Sequence, residues 1–170
     1  MVQQRTASST PDIKLREVTE ADLPMLFQHQ YDPDANRMAA FPARERDAFM
    51  AHWAKILADD TMPATTIVAD GNVAGNILSW EQEGKRLIGY WIGREHWDKG
   101  IATRALSEFL RIVTDRPLRA HVAKHNVASI RVLEKCGFAI CAAETDSLDK
   151  PADEVEEFVF KINTSDDVEN

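Results

Sequence analysis

The chain has 170 residues, 44% of them apolar and 28% charged, which suits one soluble globular domain with a core of its own. Its longest unbroken apolar run, 138–143, falls far short of the roughly 20 residues that cross a bilayer. Residues 1–10 carry no apolar h-region, which argues against a secretory signal, and Cys136 and Cys141 are too few for a disulfide framework, so a cytoplasmic protein with reduced thiols is expected. A net charge of −8 argues against a general nucleic-acid binder, yet the stretch 84–135 holds 11 Lys and Arg against 5 Asp and Glu. That basic middle reads either as a site for one anionic ligand or as a solvated helix face.

In chain order, residues 1–11 and 164–170 are polar and read as disordered tails around one domain over 12–163. Ile13 and Leu15 start a strand. Thr19 and Asp22 have capping-box spacing, with Val18 and Leu23 as the hydrophobic staple, so a helix begins near Glu20. Asp32-Pro33-Asp34-Ala35-Asn36 is turn chemistry. Phe49, Trp53, Ile56 and Leu57 make one apolar stripe on a helix over 44–58. The period then changes. A β-branched run over 65–69, the turn Asp70-Gly71, a strand over 73–80, a break at Gly84 and a strand over 86–93 predict an antiparallel meander.

After Gly100 the helical period resumes, until Pro117 forbids continuation. Leu118, Ala120 and Val122 alternate as a strand. Asn126 is a natural N-cap for a short helix ending at Cys136, with Gly137 as the left-handed residue and Leu133 and Phe138 as a Schellman pair. Strands over 138–143 and 155–162 flank the acidic segment 144–154, read as a loop. The order predicts a mixed α/β layer, not a doubly wound parallel sheet.

Two segments carry chemistry. In 89–103 a strand ends, a loop turns at Lys99-Gly100 and a helix starts. Free backbone amides and the positive dipole end of a helix bind phosphate. Gly100 permits close backbone approach and Ala102 keeps the next contact small. Neither the P-loop pattern nor the dinucleotide fingerprint is present. The second segment is 126–138, N-V-A-S-I-R-V-L-E-K-C-G-F.

Together these resemble the GNAT superfamily of acetyl-CoA-dependent N-acetyltransferases. Residues 97–102 lie on its R/Q-x-x-G-x-G/A pyrophosphate loop, and 126–138 on its N-x-x-[AS]-x-x-[LV]-[YL]-E-K-x-G-F helix. The wording is closest to the branch that acetylates the N-termini of ribosomal proteins at alanine or serine. The resemblance implies a central, mixed and mostly antiparallel sheet of about seven strands, splayed in the middle and flanked by about four helices. It also implies acetyl-CoA as co-substrate and no metal. The pantetheine arm would fill the splay and pair with backbone near Trp91 and Ile92. The pyrophosphate would sit on the amides of Asp98, Lys99, Gly100, Ile101, Ala102 and Thr103. Asn126 would cap its helix and reach the CoA arm, beside Ser129. Three residues depart from the pattern: Trp97 replaces Arg or Gln, Asp98 stands where many relatives have Gly, and Leu133 stands where many have the Tyr that protonates the leaving thiolate.

Acetyl transfer needs a neutral amine, a placed carbonyl, a stabilised oxyanion and a proton for the thiolate. The Ile92 amide is the best oxyanion donor. Ser129, on the same helix face as Leu133, is either the thiolate's donor or a capping residue. His121 is either the general base or a structural histidine; Glu81, Glu83 and water are the other bases. Tyr31, Asn36, Met38 and Phe41, with Glu81, are the expected acceptor residues. The acceptor would be a small-molecule amine or a peptide N-terminus, with no nucleic-acid or membrane partner, and the protein a monomer or homodimer. His29, His52, His96 and His125 show no metal-ligand spacing. Two other readings stay open: a non-catalytic acyl-CoA-binding domain, and an interaction module for an acidic partner.

Overall fold

A computed structural model describes residues 10–148, 150–151 and 153–164; 1–9 and 165–170 of the expected tails lie outside the described residues. The strands are β1 (Ile13–Glu17), β2 (Ala64–Ala69), β3 (Asn72–Gln82), β4 (Lys85–Ile92), β5 (Leu118–Ala123), β6 (Ala139–Ile140) and β7 (Glu157–Ile162). The helices are α1 (Leu23–Gln30), α2 (Pro33–Ala39), α3 (Arg46–Leu57), α4 (Ile101–Ile112), α5 (Val127–Lys135) and α6 (Ala142–Asp146), with 3₁₀ turns at Glu20–Asp22 and Arg94–His96. The seven strands form one sheet in the order β1-β2-β3-β4-β5-β7-β6. Every neighbouring pair is antiparallel except β4–β5.

The meander is made by two tight turns, Asp70-Gly71 and Glu83-Gly84, whose four residues all have positive φ. That is the type I′ geometry that matches strand twist. Between β2 and β3, Ile67 faces Gly75 while Val68 faces Val73, so Ala74 is an extra, bulged residue. The bulge changes which face alternate residues occupy. Ala74 and Ile77 both join the core beneath α4, with Leu106, Phe109, Leu118 and Phe160. Val73 and Leu78 pack on the opposite side, against Leu26, Phe49, Trp53 and Ile56 of α1 and α3. The sheet thus has α4 and α5 on one face and α1 and α3 on the other.

Local signals in the sequence become local hydrogen bonds. Phe138 N–H donates to Leu133 O at 3.0 Å and Gly137 N–H to Glu134 O at 3.1 Å, with Gly137 at φ 93°, the expected Schellman closure. Two expectations need correction. The segment 32–36 is not a free turn: Asp32 Oδ1 accepts from the amides of Asp34 (2.9 Å) and Ala35 (3.2 Å) and caps α2, with Pro33 in its first turn. Asp-Pro serves a helix start as well as a turn. The strand over 138–143 shrinks to the exposed edge pair Ala139–Ile140, and 142–146, mostly good helix formers, become α6 within the expected acidic loop. These two short helices raise the count from about four to six among the described residues. No helix among the described residues is long and apolar enough to cross a membrane.

Asp22 fixes the entry to α1. Its carboxylate, 4% exposed as a residue, accepts from Arg16 Nη1 (2.7 Å) and Nη2 (2.8 Å), the Thr19 amide (2.9 Å) and Thr66 Oγ1 (2.9 Å). It therefore joins β1, β2 and the start of α1. The Arg16 hydrogen bonds hold its carboxyl well below the usual carboxylate range, against the opposing effect of burial. Asp22→Asn should cost about 2–3 kcal/mol near pH 7, because a charged hydrogen-bond acceptor is lost and the amide Nδ2 must face a donor that a carboxylate oxygen now accepts from. A depressed folded-state pKa contributes stability that is complete above the unfolded value of about 3.9 and lost as pH falls below it. Urea denaturation should therefore show the gap between wild type and Asp22→Asn narrowing from pH 7 to pH 3.

Candidate active site

β4 and β5 pair at only two positions, Arg86↔Leu118 and Leu87↔Arg119. Past Leu87, β4 runs on to Ile92 and β5 to Ala123 without further pairing, and the sheet opens between them. Which β4 amides face the opening follows from the ladder with β3. Gly93 N–H donates to Ala74 O at 2.8 Å, so the hydrogen-bonded pairs continue through Trp91↔Asn76 and Gly89↔Leu78. In an antiparallel ladder these alternate with pairs whose amides point away. Ile88, Tyr90 and Ile92 therefore turn N–H and C=O toward the opening. The Ile92 carbonyl is already used, accepting from Trp97 Nε1 at 2.9 Å, so the Ile92 N–H is the group it leaves on offer. Trp91 is placed differently from expectation: its backbone belongs to the β3 ladder, and its indole donates to His29 O at 3.0 Å.

A cavity of about 470 Å³ runs from this opening to α1 and α3. Ser129 and Leu133 of α5, Tyr90 of β4 and His121 of β5 all line it. Trp80 forms part of the wall because Gly89 lacks a side chain; a Cβ there would come within 3.1 Å of the indole. At the α5 end, Tyr90 Oη lies 2.6 Å from Ser129 Oγ. Burial pushes the Tyr90 phenol up to about 12, so it stays protonated near neutral pH and is able to donate. The Ser129 amide donates to Asn126 Oδ1 at 3.2 Å, so Asn126 is the N-cap as predicted. The capping duty of Ser129 rests on its backbone, and its hydroxyl is engaged with Tyr90. Leu133 is 1% exposed and part of the core, so it supplies no proton.

The expected phosphate loop has the matching geometry. Gly100, at φ 73°, is the left-handed N-cap of α4, placing the amides of Ile101, Ala102 and Thr103 in the first turn, where helices lack internal partners. Asp98 is also left-handed, at φ 59°, and exposed. Lys99 Nζ donates to Glu95 O at 3.0 Å. Trp97, in place of a phosphate-binding side chain, closes the loop onto β4.

His121 lines the cavity, and its Nδ1 lies 3.6 Å from Glu157 Oε2. Contact with His121, and then with Lys150, holds the Glu157 carboxyl below its ordinary range despite burial. Of the expected acceptor residues, Phe41 is on the wall, edge-on to Trp91 with ring centroids 6.1 Å apart. Tyr31 and Met38 are exposed and off the wall, Tyr31 donating to Glu45 at 3.3 Å. Asn36 instead ties α2 to α1, donating from Nδ2 to Gln30 O at 2.7 Å. Glu81 and Glu83 lie at the β3–β4 hairpin, exposed and near the end where β4 and β5 still pair. They are not on the cavity wall.

Tyr90, Glu157, Arg44 and His52 escaped sequence reasoning. Tyr90 and Glu157 sit on strands where aromatic or charged residues read as ordinary, and the partners of both are distant in sequence. The structure also groups His29, Glu95 and His96, with one ligand atom from each lying within 4.8 Å of the others. Sequence spacing hid this cluster because His29 lies on another element.

Residues 12–139 match the family described as Acetyltransferase (GNAT) domain. No curated protein matches the chain. Among solved structures, the spermidine N-acetyltransferase of Vibrio cholerae, in complex with CoA and spermine, superposes with a TM-score of 0.75 at 18% identity, covering 90% of this chain and 96% of that one. An acetyltransferase (GNAT family) from Bacillus anthracis gives 0.71 at 16%, covering 89% and 94%. The aminoglycoside acetyltransferase AAC(6')-Ib, in complex with coenzyme A, gives 0.70 at 16%, covering 90% and 95%. At these identities the likeness is one of fold.

Gly100 and Gly84 share φ 73° and open space around a built Cβ, so Gly84→Glu is a strain-matched control for Gly100→Glu. Both should lose about 1–2 kcal/mol of stability from the left-handed backbone. Calorimetry should find acetyl-CoA binding weakened at least about tenfold in Gly100→Glu alone, because only there does the carboxylate meet phosphate.

Proposed function

Because the chain belongs to the GNAT acetyltransferase family, we propose that it transfers the acetyl group of acetyl-CoA to a primary amine by direct attack. The observation that carries this reading is the opening between β4 and β5, with the Ile92 amide at one edge and the Ser129–Tyr90 pair at the other. Acetyl-CoA, the co-substrate, would lay its pyrophosphate on the amides of Ile101, Ala102 and Thr103 and its pantetheine arm along Tyr90 and Ile92. The CoA-bound acetyltransferases of the same fold support acetyl-CoA as the co-substrate. The spermidine and aminoglycoside enzymes among them support a small-molecule amine as acceptor. The finer assignment, to the ribosomal-protein branch with a peptide N-terminus as acceptor, rests on motif wording alone.

In the reaction the amine nitrogen bonds the acetyl carbon, whose oxygen takes negative charge beside the Ile92 N–H. The C–S bond then breaks. The proton lost by nitrogen passes to His121, whose Nε2 has no partner among the described residues while Nδ1 faces Glu157, or to water. Sulfur takes a proton from Ser129. Tyr90, donating to Ser129 Oγ, aims the serine hydrogen at the sulfur, and a proton from water restores the Ser129–Tyr90 pair afterwards. The Tyr acid missing at position 133 is thus substituted by a two-residue relay from a different strand.

Ser129→Ala should lower kcat by about 10- to 100-fold, below the ~10²–10³ of a strong oxyanion donor, with acetyl-CoA affinity held. Tyr90→Phe should lower kcat in the same direction by a smaller factor. Combined with Ser129→Ala it should add little, since the two act as one unit. Steady-state rates with separately measured acetyl-CoA binding check this; additive losses would make Tyr90 a packing residue only. His121→Ala should remove the acid limb of the kcat/KM pH profile, and an unchanged profile would give the role of base to water.

A further inference from the structure

We infer that the acceptor is an amine with a large apolar or aromatic body and an acidic group, of the aromatic amino acid kind, and not a polycation. This rests on the acetyl-transfer reading above and names its acceptor. The cavity wall beyond the β4–β5 opening is made of Phe41, Phe49, Trp53, Trp80 and Trp91. No Asp or Glu lines the cavity among the described residues. A polyamine or aminoglycoside brings several ammonium groups, and each one desolvated without a carboxylate partner is costly. Aromatic faces alone offset only a part of that.

The wall's own charge has the opposite sign. Arg44 lines the cavity, and its guanidinium lies 5.1 Å above the Phe41 ring, which in turn packs edge-on against Trp91. Among the described residues no hydrogen bond or ion pair joins it to a carboxylate. Its field reaches the neighbouring wall residue: burial first, and then Arg44, push the His52 imidazole down, favouring the uncharged ring. A second ammonium entering this space would be repelled by Arg44. A carboxylate entering it would gain a planar, two-pronged donor held in place by an aromatic ring.

The test is CoA release from acetyl-CoA with matched amines: L-tryptophan and L-phenylalanine, their carboxyl-free counterparts tryptamine and phenethylamine, and spermidine and kanamycin as polycations. Acetyl-CoA binding is measured separately by calorimetry. The expected kcat/KM is at least tenfold higher for the aromatic amino acids than for either polycation. Arg44→Gln should raise KM for L-tryptophan ten- to a hundredfold and for tryptamine less than twofold, with Arg44→Lys recovering part of the loss. Preference for spermidine or kanamycin, no turnover of the aromatic amino acids, or an equal effect of Arg44→Gln on tryptophan and tryptamine would overturn the inference while leaving acetyl transfer intact. Failure to bind acetyl-CoA would instead overturn the reading on which it rests.

Discussion

The molecule is organised by a pairing that stops. β4 and β5 are the one parallel neighbour pair in the sheet, and they hold together through two residue pairs before separating. A closed sheet would satisfy the amides of Ile88, Tyr90 and Ile92 with β5. The opening leaves the Tyr90 and Ile92 amides without a β5 partner, Tyr90 on the cavity wall, and an extended polar ligand is able to replace the missing strand there. Unpaired backbone in a partly buried place is costly, and a ligand arm bound there would recover what the fold gives up in pairing.

The surrounding structure keeps the opening open. β5 is held from the far side by six register pairs with β7, while β4 is held by eight with β3. Each strand thus has a stronger partner than the other, and twist parts them. Tyr90 reaches across to Ser129, bracing α5 against β4 at a fixed distance. On the opposite face, the Asp22 cluster anchors the start of α1 to β1 and β2, and the Trp91 indole holds the end of α1 to β4. His125 Nε2, 2.9 Å from Arg37 O, brings α2 to the β5–α5 turn. The cavity wall is therefore attached to the rigid sheet at several points, as the placing of two substrates would require.

What could be read in the sequence was what local chemistry determines. The meander turns, the Asn126 cap and the Schellman closure at Gly137 each depend on a few adjacent residues, and each formed as expected. The left-handed Gly100 and the helix start after it were legible for the same reason: they are contiguous. The segment 32–36 was ambiguous because Asp and Pro serve turns and helix starts alike. The departure at Leu133 was visible, but the contact proposed to substitute for it was not. Tyr90 lies 39 residues from Ser129 in the chain, and on a strand it reads as one more aromatic core residue. Arg44 and Glu157 were hidden likewise. Their meaning comes from what the fold brings beside them, the Phe41–Trp91 wall in one case and His121 in the other.

Amide hydrogen exchange of the full chain, with and without acetyl-CoA, tests most directly whether the β4–β5 opening receives the co-substrate. Exchange reports protection residue by residue. The account predicts that acetyl-CoA slows exchange at Ile92 and at Ile101, Ala102 and Thr103, while β1 and β2 at the far edge stay unchanged. Protection confined to other elements, with the Ile92 amide exchanging at its free rate in the saturated complex, would contradict it.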